Sequence, residues 1–359
     1  MNPDPVNQVP AWTWLAPLAA IACLGAAAVW GTGLPVIAAC CVALVATVFA
    51  SVHHAELVAH RVGEPFGTLV LAVAVTVIEV GLVVSVMLGG GEDKAALPRD
   101  TVFAAVMIVC NGVVGLCLLL GGARHGEQGF QLQGASGSLA VLGALTVLTL
   151  IVPNTTMTVA GPVFSTGQLI FAGVFSLGLY GTFVFVQTVR HPDDFLSGVQ
   201  DHPGHRPTLL VAWLGAGLLV LSLVLVVILA KVLSPALERG LDAAGAPKAV
   251  VGIVIALLVL MPEGVTALRA ARANRLQTSL NLALGSALAS IGLTIPVVAA
   301  VSVMLGQQLV LGLDTKESVL LALTLFTGVV TLGTGRTTVL QGAVHLAIFA
   351  AFLFLALVP

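Results

Sequence analysis

Residues 249–268 read AVVGIVIALLVLMPEGVTAL, a run in which Glu263 is the only charged side chain. About 20 apolar residues make a helix long enough to cross a hydrocarbon core of roughly 30 Å, so this stretch predicts a membrane span with a carboxylate near its middle. Residues 67–89, GTLVLAVAVTVIEVGLVVSVMLG, repeat the arrangement around Glu79. An acidic side chain at that depth costs on insertion scales about 2.5–3.5 kcal/mol. Neither run holds a Lys or Arg to pair with it, so the rest of the chain must offset the cost.

The flanking sequence is of the same kind. Of 359 residues, 58% are hydrophobic and 8% charged, against roughly 25% charged in soluble domains. Lipid must be the main solvent. The net charge of −2 and the lack of a basic run exclude nucleic acid as a partner. Apolar runs occupy 11–30, 34–52, 67–89, 101–121, 136–152, 166–189, 208–230, 249–268, 279–305, 319–332 and 339–358. They are too long for barrel strands and lack period-2 alternation, so the expected fold is an all-α integral membrane protein of about 11 transmembrane helices. Trp12, Trp14 and Trp30 bracket the first run like an interfacial belt. The amino terminus lacks the positive region of a cleaved signal peptide, so that run is read as retained. Cys23, Cys40, Cys41, Cys110 and Cys117 lie in apolar runs without CxxC spacing and read as packing residues.

Two halves are suggested. The short runs at 136–152 and 319–332 each stand fourth in a block of five, and Glu79 and Glu263 each fall in the second. We therefore expect a first five-helix repeat at 34–189, a cytoplasmic inter-repeat loop at 190–207 and a second repeat at 208–359, with 1–33 as an extra amino-terminal helix. An odd number of spans makes the repeats inverted, a common plan in transporters with midplane sites. Of the Lys and Arg residues, eight fall in loops on the amino-terminal side and six on the other. This bias places the amino terminus in the cytoplasm and the carboxyl terminus outside.

The two glutamates are the candidate cation and proton ligands, and the metal-binding residues if the cation is divalent. Pro262 removes a backbone donor beside Glu263 and predicts a helix break that frees carbonyl oxygens for a hard cation. The next helices supply Asn111 and Ser286, with Ser290 on the same face as Ser286; close helix packing is the alternative role for these small residues. Thr76 could add an oxygen or bond back to its own helix. His54, Glu56, His60 and Glu64 lie in a polar segment that is either a solvated connector or a gate or proton relay. Asp193 and Asp194 lie in the loop 190–207, a solvated linker or a sensor of cation or pH. His345 reads as a hydrogen-bonded core histidine. No nucleophile set of the Ser/His/Asp or Cys/His kind appears, which argues against an enzyme, and no cofactor is implied.

The stretches HHAELVAHRVGEPFGTLVLAVAVTVIEV at 53–80 and LVLMPEGVTALRAARANRLQTSLNLALGSALASIGLTIP at 258–296 resemble the bacterial ChaA-type Ca2+/H+ antiporters of the cation/Ca2+ exchanger superfamily. The resemblance implies two inverted five-helix repeats, each with an acidic motif whose glutamate binds the exchanged cation. By position it puts Glu79 and Glu263 at the centre, with Asn111 and Ser286 on the helices that follow. The residues before Glu79 read AVTVI rather than the GNxxE form of many relatives, and Pro262 directly precedes Glu263. Proton-coupled exchange of Ca2+, or of Na+ or K+, by alternating access is the function expected, with membrane lipid, inorganic cations and protons as partners. A cation channel is the first alternative, though no filter-like segment stands out. A membrane-embedded lipid-modifying enzyme is the second, and Glu79 and Glu263 lie too deep for headgroup chemistry.

Overall fold

The structure is a computed structural model and describes residues 10–63, 66–88, 95–195, 207–243, 245, 247 and 249–358. Among these residues, 11 helices are long and apolar enough to cross a membrane. They are α1 (Ala11–Trp30), α2 (Leu34–Val62), α3 (Phe66–Leu88), α4 (Leu97–His125), α5 (Leu132–Thr155), α6 (Thr166–Arg190), α7 (Leu209–Ala243), α8 (Ala249–Arg272), α9 (Leu276–Leu305), α10 (Thr315–Leu332) and α11 (Val339–Leu357). Helices are expected here because lipid cannot satisfy backbone amides and carbonyls, so each segment must satisfy its own.

Several helices outrun their apolar cores. α2 continues through His53–Val62, where the sequence suggested a polar connector. Half of the residues in HHAELVAHRV are good helix formers and none is Gly or Pro, and a glycine closes the helix: the Gly63 amide, at φ 80°, donates to the Ala59 carbonyl. α4 ends in the same way, the Gly126 amide donating to the Gly122 carbonyl, whereas α5 ends in a 3-10 turn over Val152–Thr155. Three helices contain π-turns, at Ile108–Val113 in α4, Val147–Ile151 in α5 and Val186–Arg190 in α6.

The chain divides into two compact units, residues 1–86 with 199–245 and residues 87–198 with 246–359. In the first unit, α1 and α7 both pack on α2. His54 Nε2 faces the Thr13 carbonyl of α1 at 3.0 Å, and Leu57 lies under Gly215 of α7. Gly81 of α3 presses on Val227 of α7, where a Cβ would come 2.6 Å from a valine methyl.

In the second unit, α4 packs on α11 and α8, α9 packs on α6 and α8, and α5 meets α10. Glycines allow the close approaches. Gly115 of α4 lies against His345 and Leu346 of α11, while Gly292 of α9 lies against Tyr180 of α6. The connectors pair as well. β1 (Gln128–Gly129), after α4, runs antiparallel to β2 (Arg336–Thr337), after α10. Val163, between α5 and α6, bridges Val310, between α9 and α10. Exchanging the segment α4–α6 with α9–α11 leaves this pattern unchanged: α4 on α11 becomes α9 on α6, and the β1–β2 pairing becomes the Val163–Val310 bridge. Even the caps correspond, since α6 opens on a capping box of Ser165 with Gln168 and α11 on one of Thr338 with Gln341.

Polar contacts sort these connectors to two ends of the unit. At one end, the Gln128 amide nitrogen donates to the Ala271 carbonyl and to Asn274, and the Gln131 backbone amide donates to Gln277. At the other, the Val310 amide donates to the Ala95 carbonyl and Asn154 donates to the Leu313 carbonyl. Successive connectors of this unit thus alternate ends, as spans crossing a membrane must.

A methyl group at Gly342 of α11 would overlap the Leu119 backbone nitrogen and come 2.8 Å from the Leu119 Cα, and backbone cannot move aside as a side chain can. Gly342→Ala should therefore cost about 1–3 kcal/mol and lower the thermal midpoint of the detergent-solubilised protein. Gly181→Ala, where nothing lies within 4 Å, should leave it unchanged. Equal midpoints for the two variants would contradict the close α4–α11 approach.

Candidate functional site

Glu263 is 7% exposed on α8 and accepts a hydrogen bond of 2.5 Å from the Ser286 hydroxyl of α9, also buried. This bond answers part of the cost of an acid in lipid, since a charge-assisted hydrogen bond is about twice as strong as a neutral one. α8 continues helically through Pro262, so the expected helix break is absent. Packing against α4 and α9 holds the helix together. Proline still supplies no amide at position 262, so the Leu258 carbonyl one turn earlier lacks its usual helical donor. The Pro262 carbonyl accepts from the Thr266 hydroxyl at 3.1 Å. Ser290, one turn beyond Ser286, is buried on α9.

Glu79 is 2% exposed on α3, in the first unit. Thr76, one turn before it, donates its hydroxyl to the Ala72 carbonyl at 2.8 Å, which leaves the oxygen lone pairs available to accept. The same unit holds the histidines of α2. His54 is fully buried, not in a solvated connector, because the helix carries it under α1. Glu56 is half-buried, His60 is exposed, and Glu64 lies outside the described residues.

Asn111 sits in the π-turn of α4, fully buried. Its amide nitrogen donates to the Thr324 hydroxyl of α10 at 2.8 Å, and its carbonyl oxygen faces His345 Nδ1 of α11 at 3.2 Å. His345 Nε2 faces the Thr331 hydroxyl at 3.1 Å. The sequence reading of His345 as a hydrogen-bonded core residue agrees with this, but it gave Thr324 and Thr331 no part. Their seven-residue spacing, which places them on one face of α10, was the signal that could have found them.

Two further polar clusters lie in the second unit. Asp193, exposed, and Asp194 form a short turn after α6; there the Asp194 and Phe195 carbonyls, not the carboxylates, accept from Gln277 and Asn281 of α9. Residues 196–206 of that loop lie outside the described residues. At the opposite end, Arg99, Asp100, Asp314, Lys316 and Glu317 line a cavity of about 360 Å3. Arg99 binds Asp100 at 2.7 Å and donates to the Gly312 carbonyl at 2.9 Å.

A helical membrane chain with a buried acid on each of two spans, one held by a serine of the following helix, has the makings of an ion carrier. The sodium/calcium exchanger protein family matches residues 32–189 and 214–358, and this chain belongs to it. Like the family, it is a membrane-embedded exchanger and not an enzyme. Among its relatives, y4hA of Sinorhizobium fredii is 52% identical over 98% of this chain and 97% of its own. The sodium-potassium/proton antiporter ChaA of Escherichia coli K12 is 37% identical over 90% of this chain and 91% of its own. The fold matches the solved structure of native YfkE, a Ca2+/H+ antiporter, with a TM-score of 0.76 at 16% identity, over 97% of this chain and all of that one.

Ser286→Ala removes a single donor and a single neutral oxygen from Glu263. With a cation bound that oxygen is a ligand, so its loss should raise the half-saturating cation concentration severalfold, with transport still detectable at saturation. A cation titration of variant and wild type at one pH measures this, and an unchanged half-saturation would remove Ser286 from the site.

Proposed function

We propose that this chain is a secondary active antiporter of a bacterial inner membrane that exchanges Ca2+ for H+ by alternating access, with Glu79 and Glu263 carrying cation or protons. The observation that carries the reading is Glu263, buried in a membrane-spanning helix and held at 2.5 Å by the Ser286 hydroxyl. A serine hydroxyl can turn. With no cation bound it donates to the carboxylate; with a cation bound it can present a lone pair to the ion while the carboxylate binds directly. Hard cations such as Ca2+ take oxygen ligands of this type. A proton competes for the same carboxylate oxygens, which is the physical basis of coupling.

Na+ and K+ form a second cargo reading, favoured by the 37% identity to a sodium-potassium/proton antiporter. Their oxygen preference is the same, so one set of ligands serves either class. Residues 34–189 and 208–359 are read as inverted repeats, with the amino terminus cytoplasmic and the carboxyl terminus outside. The exchange pattern of helix and connector pairings in the second unit supports the repeats, and the charge bias of the loops the orientation. Asn111 keeps a place in the proposed site as a neutral residue, although its amide already serves Thr324 and His345.

The test is flux of Ca2+, Na+ and K+ in proteoliposomes against a set pH gradient. Wild type should take up Ca2+ as protons leave, and apparent affinity should fall as pH drops, because proton and cation compete for the same carboxylate oxygens. Glu79→Gln and Glu263→Gln should each abolish exchange with the protein folded, because the neutral amide is the easier side chain to insert. Asp193→Asn, on an exposed turn, should change rate modestly. Normal exchange by either glutamine variant, at equal membrane amounts, would sink the assignment of the proton carrier.

A further inference from the structure

The buried chain Thr331–His345–Asn111–Thr324 joins three helices, and we propose that His345 is a positioning residue for cation exchange. Through Asn111 it fixes the π-turn of α4 against the part of α8 that carries Glu263. The inference rests on the antiport reading above.

The direction of each bond follows from the donors. The Asn111 amide nitrogen donates to Thr324 at 2.8 Å, so its carbonyl oxygen faces His345 Nδ1 as an acceptor. His345 Nδ1 must then carry the hydrogen, which leaves Nε2 of the neutral ring to accept from the Thr331 hydroxyl at 3.1 Å. The Thr324 hydroxyl donates its own hydrogen bond to the Leu320 carbonyl at 2.8 Å. These four bonds are mutually consistent within one tautomer. His345 is 2% exposed and Asn111 fully buried, so no lipid or solvent partner substitutes for these bonds.

A π-turn has an irregular hydrogen-bond ladder, and such turns are frequent at functional sites. Here its shape depends on what clamps it from either side. On one side stand His345 and Phe349 of α11: a Cβ on Gly112 would come 3.2 Å from the Phe349 ring, and one on Gly115 3.1 Å from the His345 Cβ. On the other side, Val113 closes the turn and lies against Gly264, the residue after Glu263, where a Cβ would come 3.3 Å from a Val113 methyl. A turn that loses the His345 bond can shift, and Val113 carries the shift to the backbone beside Glu263. The Ser286–Glu263 bond of 2.5 Å leaves little tolerance for such a shift.

The test uses three variants that separate the two ring nitrogens. His345→Asn places an amide nitrogen where Nδ1 stands and keeps the donor to Asn111. His345→Gln reaches only towards Thr331, and His345→Leu keeps neither contact. Half-saturating cation concentration and maximal rate are measured in proteoliposomes at equal protein amounts, alongside thermal midpoints in detergent. The Leu and Gln variants should raise half-saturation roughly fivefold or more with the maximal rate largely kept, and the Asn variant should stay within about twofold of wild type. If His345→Leu fails to reach the membrane, Thr324→Val removes the other anchor of Asn111 and should raise half-saturation in the same way. Lower thermal midpoints with unchanged half-saturation in all variants would make His345 a structural pin and overturn the proposal. So would failure of His345→Asn to rescue. Wild type silent for every cation would instead overturn the antiport reading, and this inference with it.

Discussion

Hydrocarbon offers a carboxylate no hydrogen-bond donor, so Glu263 can sit in α8 only where the protein supplies one, and Ser286 on α9 does so. Hydrogen bonding inside a protein does not match the hydration an ionised acid has in water. The group therefore stays primed to take whatever else will compensate it, a proton or a cation. The surroundings follow from this constraint. α9 must lie close enough to α8 to bring the hydroxyl within 2.5 Å, and α9 is in turn held by α6 through Gly292 and Gly173. Small residues at these contacts replace the hydrophobic driving force that lipid removes from helix association.

The pairing pattern of the second unit explains how two stretches of sequence make one packed body. α4 packs far less on its neighbours α5 and α6 than on α8 and α11, and α9 packs on α6, so each segment completes the other. The connectors repeat the swap, with β1 on β2 at one end and Val163 on Val310 at the other. An arrangement that maps onto itself when its segments are exchanged can be tipped towards one end or the other at similar cost. Alternating access requires that property of a carrier.

The fold was largely legible because lipid makes hydrophobic run length nearly sufficient: a stretch of about 20 apolar residues has few other fates. Helix ends were less so. α2 runs on through His53–Val62 because, once buried under α1, His54 finds a carbonyl of Thr13, a tertiary contact that no local pattern announces. Pro262 misled for the same reason: a missing amide weakens a helix but does not break one packed against two neighbours. Of the candidate site, the burial of Glu79, Glu263 and Ser286 was legible from depth and residue type. The partners of Asn111 were not. They lie 213 and 234 residues away along the chain, and the π-turn that presents Asn111 has no sequence signature.

Charge arithmetic joins the site to its proposed task. On that reading two glutamates carry the cargo, and two negative charges are balanced by one Ca2+ or by two protons. Either loaded form is neutral, and a neutral form is the one that can be carried through a low-dielectric barrier without the penalty an unpaired charge incurs. With both acids ionised and no cargo bound, two negative charges remain to be carried through that barrier. The empty carrier is therefore the state least able to reorient, so flux in one direction must be answered by a load in the other. A single Na+ or K+ leaves one charge over, and a proton on the second glutamate restores neutrality. The same pair of acids thus accommodates monovalent cargo by changing how many protons travel, with no new ligand required. Discrimination among the cations then falls to the neutral oxygens around the acids and to how firmly their helices are held.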